Sequence, residues 1–167
     1  MNKLNKIIFD PIGIVHTPFK KPKDTPIQPR KSGGAEGMIE IYNEYIPALD
    51  DLDGFSHIYL LFHLHLSKGY ELKVVPFLDN QKRGLFSTRA PRRPNQIGLS
   101  IVQLLRIESN IIYIKDIDLI DGTPLLDIKP YVHTFDEQTD IKIGWLEGKA
   151  DVNKTARADN RFDDTKH

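Results

Sequence analysis

The chain has 167 residues, of which 40% are hydrophobic and 28% charged, with 23 basic side chains, 23 acidic side chains and no cysteine. This length suits one hydrophobic core rather than two, and the composition excludes a disordered chain. No apolar run approaches the roughly 20 residues of a membrane-spanning helix, and without cysteine there are no disulfides or thiolate metal ligands. We expect a single-domain cytoplasmic protein.

In chain order, short apolar segments rich in β-branched and aromatic residues predict strands rather than helices. They cover residues 11–16, 38–42, 55–66, 72–78, 99–107 and 111–120. Ser109-Asn110 predicts a hairpin between the last two, and only residues 46–52 suggest a short helix. The pattern predicts an all-β fold with minor helix, a small closed or partly open barrel over residues 1–148. Residues 149–167 form a polar arm or tail in this prediction.

The net charge of zero conceals an uneven distribution of charge along the chain. Residues 32–67 contain no lysine or arginine but six acids, whereas residues 80–107 contain no acid but six basic residues. Such a basic cluster favours a local anionic ligand. The alternative is a solvated face whose charges pair with the acidic block across the fold.

The segment "STRAPRRPNQIGLS", residues 87–100, concentrates positive charge in a backbone stiffened by two prolines. Arginine guanidinium suits bidentate pairing with carboxylate or phosphate, and the prolines reduce the entropy lost on binding. Arg93 and Asn95 are therefore candidate functional residues, because the amide of Asn95 could read a base and Arg93 an anion. An exposed loop with a structural asparagine turn is the alternative.

A second segment, "DLIDGTPLLDIKPY", holds an Asp-Gly turn at residues 121–124, followed by three alternating polar side chains. Asp127, Lys129 and Tyr131 lie two residues apart, so on a strand they share one face. A carboxylate, an ammonium and a phenol on one face could hold or deprotonate a polar substrate, although such alternation is also common on a half-solvated strand.

Metal binding and the familiar nucleotide motifs receive little support. His63 and His65 alternate on one predicted strand, but no third ligand is evident, so we expect no metal. The chain contains no G-x-G-x-x-G, no P-loop motif and no H-E-x-x-H, which argues against a Rossmann domain, P-loop chemistry and a zincin hydrolase.

Four segments taken together resemble the TsaA-like family, the small β-barrel tRNA methyltransferases often called TrmO. In chain order they read "IQPRK", "GFSHIYLLFHLH", "GLFSTRAPRRPNQIGLSIVQLL" and "DLIDGTPLLDIKPYV". The family loop usually reads T-R-S-x-x-R-P-N-P-I-G, and here Ala90 and Gln96 replace the serine and the second proline.

The resemblance implies transfer of a methyl group from S-adenosylmethionine to N6 of threonylcarbamoyl-adenosine, next to the anticodon in tRNA. It also implies a homodimer. The residues that could take part in catalysis in such an enzyme are Arg93, Asn95, Asp121, Asp127, Lys129 and Tyr131. Asp121, Asp127 and Tyr131 are alternative candidates for the base that removes the proton from N6. The implied cofactor contacts are Pro29, Arg30, Lys31, His65, Leu66, Arg89, Leu99, Asp121, Gly122, Thr123 and Pro124.

Two other functions fit the same residues. A S-adenosylmethionine-binding sensor would keep the pocket without methylating RNA. An RNA-binding barrel would show no affinity for the cofactor at all.

Overall fold

A computed structural model of the chain describes residues 6–22, 25–26 and 33–148. Within these ranges, no helix has the length and apolar character needed to cross a membrane. The described residues form eight strands and one short α-helix, joined by several 3-10 turns. The strands are β1 (Gly13–His16), β2 (Glu36–Ile41), β3 (His57–His63), β4 (Lys73–Val74), β5 (Arg83–Gly84), β6 (Ile97–Glu108), β7 (Ile111–Lys115) and β8 (Thr123–Pro130), and the helix is α1 (His133–Asp136).

Six strands close into a barrel in the order β1, β2, β7, β6, β3 and β8, with every neighbouring pair antiparallel. The prediction of a small closed or partly open barrel is confirmed, and the barrel is closed. Strand β3 shows why the barrel forms, since its side chains alternate between buried and half-buried along its length. The core consists of Val15, Ile39, Ile41, Ile58, Leu60, Phe62, Val102, Leu104, Ile112, Ile114, Ile117, Leu119 and Leu125.

The predicted hairpin and the end of the strand that follows it depend on backbone conformation. Ser109 has a φ of 56°, and the tight turn there joins β6 to β7 as expected. Strand β7 ends at Lys115, five residues earlier than predicted, because Asp116 adopts a φ of 62°. Left-handed backbone interrupts the extended conformation, although buried apolar residues continue to Leu119.

Two predicted elements were wrong in extent or type. Residues 72–78 contribute only the two residues of β4, which pairs with β5 outside the barrel. Pro76 lacks an amide donor and is followed by a turn in which the Asp79 amide donates to the Pro76 carbonyl. The suggested helix at 46–52 is instead a 3-10 helix over Asn43–Leu49, with Pro47 inside it, and a second one over Leu52–Gly54.

Strand direction gives the barrel two different ends. We call the end where β3 finishes and β6 and β8 begin the upper mouth, and the opposite end the lower end. Residues 50–53 and α1 lie at the lower end, because they precede β3 and follow β8. Most of the acidic block is therefore remote from the segment leading into β6. Arg83 and Arg106 pair instead with Asp79 and Glu108, so these two pairs do not join the acidic block.

Candidate functional site

The upper mouth brings together the two segments that the sequence singled out. Phe62, near the end of β3, lies opposite Gly98 on one side and Leu125 on the other. Gly98 follows residues 85–96, which we call the arginine loop, and Leu125 follows residues 121–124, the Asp-Gly turn. Both segments therefore flank the same strand end. Gly98 is needed there because a Cβ at this position would overlap the Phe62 ring.

The Asp-Gly turn is fixed to the end of β1 by hydrogen bonds and an ion pair. Asp121 accepts a hydrogen bond from the Thr17 amide at 3.0 Å, and its other carboxylate oxygen lies 2.6 Å from the Lys20 ammonium. These contacts, Lys20 first, lower the pKa of Asp121. Gly122, at a φ of 76°, donates its amide to the Val15 carbonyl. A carboxylate held in this way is a weak proton acceptor and orders the turn.

Arg93 folds back onto the arginine loop. Its Nη1 donates to the carbonyls of Thr88 at 3.0 Å and Ala90 at 3.4 Å, and its guanidinium lies 5.8 Å from the centroid of the Phe86 ring. Asn95 is exposed, and its carbonyl accepts the Ile97 amide at 2.8 Å. One Arg93 nitrogen therefore stabilises the loop, while the exposed amide of Asn95 stands at its end.

Gln96 ties the arginine loop to the residues that follow β3. Its carbonyl accepts the Leu64 amide at 2.8 Å, its Nε2 donates to the Ser67 carbonyl at 2.7 Å, and its Oε1 lies 3.4 Å from His63 Nε2. His65 lies inside this connection, and burial lowers the pKa of His65, so its imidazole is neutral at pH 7. Gln96 stands where the family usually has a proline. It therefore holds the loop by side-chain hydrogen bonds rather than by the rigid ring of a proline.

Asp118 is a functional candidate that sequence reasoning missed. It accepts a hydrogen bond from the Ser100 hydroxyl at 2.7 Å, and it lies between the buried residues Ile117 and Leu119. Burial raises the pKa of Asp118 to about 6, against the opposing effects of Ser100 and of the Arg89 charge. The sequence did contain a signal, since Asp118 is an acid inside an apolar run. A carboxylate shielded from water requires a hydrogen-bonding or charged partner, and such groups are often functional.

Asp127, Lys129 and Tyr131 share one face, as predicted, but that face runs along the outside of the barrel. Asp127 and Lys129 form an ion pair at 2.8 Å, and Tyr131 packs against Tyr59 with ring centroids 5.6 Å apart. Tyr131 lies at the lower end, where its amide donates to the His57 carbonyl. Eight strand residues from Thr123 span roughly 26 Å, so one chain does not bring Tyr131 to the Asp-Gly turn.

The remaining predicted residues are distributed as follows. Leu66 and Arg89 are exposed at the upper mouth, with Arg89 close enough to Asp118 to affect its ionisation. Leu99 is 56% exposed, opposite Leu61 on the outer surface of β6. Pro29, Arg30 and Lys31 lie outside the described residues, as does the predicted 149–167 arm. Among described residues, no group of three or more histidines and acids could hold a metal ion.

This arrangement defines a class of protein: a small closed β-barrel with an arginine-rich loop, an Asp-Gly turn and a half-buried carboxylate at one mouth. Residues 14–137 match the family described as the tRNA-methyltransferase O N-terminal domain. The chain belongs to that family, and the resemblance in the sequence is confirmed.

Individual relatives and structures agree with this assignment. The chain is 49% identical over 156 residues to a probable S-adenosyl-L-methionine-binding protein of Pyrococcus abyssi, covering 93% of this chain and 85% of that protein. It is 35% identical over 163 residues to the tRNA (adenine(37)-N6)-methyltransferase of Mus musculus, covering 91% of this chain and 38% of that enzyme. The crystal structure of TrmO from Pseudomonas aeruginosa superposes with a TM-score of 0.73 at 36% identity, over 85% of this chain and 63% of that one.

Proposed function

We propose that this protein is a S-adenosylmethionine-dependent tRNA methyltransferase that methylates N6 of the adenosine next to the anticodon. The finer part of the proposal is that this adenosine already carries a threonylcarbamoyl group, and that the reaction occurs in the cytoplasm. The observation that carries the proposal is the upper mouth, where the arginine loop, His65 and the half-buried carboxylate of Asp118 lie near one strand end in a chain of this family.

The residues at the upper mouth fit the chemical groups of S-adenosylmethionine. Arg89 is an exposed guanidinium suited to the methionyl carboxylate, and Leu66 offers exposed apolar surface beside the uncharged imidazole of His65 for the adenine. The ordered backbone of the Asp-Gly turn presents polar groups of fixed orientation nearby. The cofactor, when bound, supplies an electrophilic methyl group on sulfur. The protein's task is then to orient the accepting nitrogen and to remove its proton.

We propose Asp118 as the group that accepts this proton. The N6 nitrogen of a threonylcarbamoyl-adenosine is urea-like, so it must lose a proton as it becomes methylated. A base works best when its pKa lies near the working pH, and burial brings Asp118 closer to that range than the Lys20-bound Asp121. Ser100 occupies one carboxylate oxygen and orients the group, and the proton passes to the other oxygen and then to solvent.

The positive residues at the mouth suit the other partner, the RNA. Arg93 and Asn95 stand on the arginine loop, and residues 80–107 carry no acid. Phosphates of an RNA loop and the carboxylate of a threonyl group are both anions that guanidinium groups bind well. In this proposal Arg93 and Asn95 contact the modified nucleotide or its neighbours.

The protein is proposed to act as a homodimer. Apolar side chains alternate along the outer surface of β6, where Ile97, Leu99 and Ile101 are 39%, 56% and 38% exposed. A contiguous apolar surface of this kind favours association. Pairing through it would also provide a route by which Lys129 and Tyr131 approach the site of a second copy. Sedimentation of Leu99→Lys tests this, because a buried lysine at the contact would shift the protein to monomer.

Mass spectrometry of tRNA nucleosides tests the reaction directly. Threonylcarbamoylated tRNA incubated with the protein and cofactor is expected to gain one methyl group on the modified adenosine, and tRNA without the threonylcarbamoyl group is expected to gain none. Asp118→Asn should abolish the product while calorimetry shows cofactor binding retained. Equal methylation of both tRNAs would refute the proposed substrate, and an active Asp118→Asn would refute the proposed base.

A S-adenosylmethionine-binding sensor is the second candidate function, favoured by the name of the Pyrococcus abyssi relative. It predicts saturable binding of the cofactor with no methyl transfer to any tRNA. The same calorimetry and mass spectrometry distinguish the two.

A further inference from the structure

An aromatic side chain projects from the arginine loop into solvent. Phe86 is 77% exposed, whereas its neighbour Leu85 is 2% exposed and packs with Val74 and Ala90 in a small core beneath the loop. Phenylalanine is usually buried, and nothing in the local fold requires an aromatic ring at this position. The anchored Leu85 fixes the backbone, so the outward orientation of Phe86 is set by the fold.

The backbone that presents Phe86 is braced on both sides. The Ser87 hydroxyl donates to the Gly84 carbonyl at 2.7 Å, and the Thr88 hydroxyl donates to the Leu85 carbonyl at 2.8 Å. From a more distant segment, Trp145 Nε1 donates to the Ser87 carbonyl at 2.8 Å. Because these contacts fix the backbone that carries the ring, little backbone entropy is lost when a flat ligand stacks on it.

The surroundings of the ring are positively charged. The Arg93 guanidinium lies 5.8 Å from the ring centroid, and the exposed Arg89 follows three residues later in the same loop. An apolar protein partner would gain nothing from these charges. An unpaired nucleotide combines a flat base with an anionic phosphate and matches both features, since single-stranded nucleic acids bind through stacking on aromatic rings beside basic groups.

We propose that Phe86, with Arg93 beside it, is a stacking site for an unpaired base of a single-stranded RNA loop. The inference rests on the proposed function for the choice of RNA, and it adds a second point of contact beside the target adenosine. Because any base has a flat face, this site recognises the unpaired state of the loop and not its sequence. A double-stranded stem keeps its bases stacked on one another and offers none to the ring.

Fluorescence anisotropy with the full chain tests this, using a labelled hairpin RNA with an anticodon-type loop and a blunt RNA duplex of equal length. Phe86→Ala and Phe86→Leu are expected to weaken hairpin binding by about tenfold, because each removes the aromatic face, whereas Phe86→Trp retains it. Duplex binding should stay unchanged in all variants. The matched control is Phe135→Ala, which removes a 79% exposed phenylalanine from α1, beside the acids Asp136 and Glu137 at the lower end, and should leave binding unchanged.

Three results would overturn the proposal. Phe86→Ala and Phe86→Leu could bind the hairpin as well as the wild type does, or they could lose affinity for hairpin and duplex equally. The third is a changed sedimentation coefficient of these variants, which would show that Phe86 belongs to a protein interface. Urea unfolding of each variant separates loss of binding from loss of folding, and Phe86→Trp keeps the test valid should the smaller residues unfold the loop. The assay needs neither cofactor nor turnover. If the wild type binds the hairpin normally but transfers no methyl group, the proposed reaction is refuted. The proposed stacking site is not refuted by that result.

Discussion

Replacing Asp118 by asparagine is expected to stabilise the barrel even though it removes the proposed base. In the unfolded chain this carboxyl ionises near its ordinary pKa of 3.8, whereas burial raises the pKa to about 6 in the folded protein. The folded state therefore holds the proton more tightly than the unfolded state. The contribution of Asp118 to wild-type stability is therefore most favourable below the ordinary pKa, falls as the pH rises toward 6, and stays low above it.

The size of the effect follows from the difference between the two pKa values. A difference of slightly more than two pH units corresponds to about 3 kcal/mol of lost free energy of unfolding above pH 7. At pH 5 only about half of this loss has developed. Asparagine carries no charge at either pH, and its side-chain oxygen can accept the hydrogen bond from the Ser100 hydroxyl. The variant should thus gain about 3 kcal/mol at pH 7.5 and about half as much at pH 5.

Urea unfolding followed by circular dichroism at the two pH values measures this gain. With a slope of about 2 kcal/mol per molar urea, the midpoint at pH 7.5 should rise by about 1.5 M. Ser100→Ala serves as the control, because it removes the hydroxyl and leaves the ionisable group. A gain that is the same at both pH values, or an asparagine variant less stable than the wild type at pH 7.5, would refute the reasoning.

Three further outcomes are expected. Gly98→Ala should lower the free energy of unfolding by about 1–3 kcal/mol, because the added Cβ would overlap the buried Phe62 ring. Gly84→Ala is the control for thermal melts and should cause no such loss, since Gly84 has open space around it. Arg83→Ala should lower the free energy of unfolding by about 3 kcal/mol, since the Asp79 side chain is only 1% exposed and loses its arginine; an unchanged urea midpoint would contradict this. The affinity for tRNA should fall steeply as the salt concentration rises from about 50 to about 200 mM, which filter binding would measure. Affinity that does not change with salt would mean that the arginines do not contact phosphate.

The barrel was largely predictable from the sequence because its signals are local. The strand predicted at 55–66 and the turn at Ser109 depend on neighbouring residues. Strand β3 lies within that range, with alternating burial, and the turn is present. The prediction of a strand over residues 72–78 was wrong because it relied on apolar composition and gave no weight to the proline within the run. Those residues are apolar enough, but Pro76 cannot donate to a neighbouring strand.

The site was predictable only in part because its contacts join residues distant in sequence. Asp118 lies 18 residues from Ser100, and nothing in the order of residues reveals that the hydroxyl and the carboxylate meet. Tyr131 shows that a correct local prediction can still fail to locate a site. Its periodicity correctly placed it on the same face as Asp127, but a strand face extends over the length of the barrel, so a shared face does not imply a shared site.

The closure of the six strands has a consequence for how copies of this protein can meet. Every barrel strand has a hydrogen-bonded neighbour on each side, so the barrel contains no edge strand of the kind to which another chain adds by backbone hydrogen bonding. The closed sheet therefore favours assembly through side chains packed surface to surface. Such contacts can be altered one residue at a time without disturbing the fold.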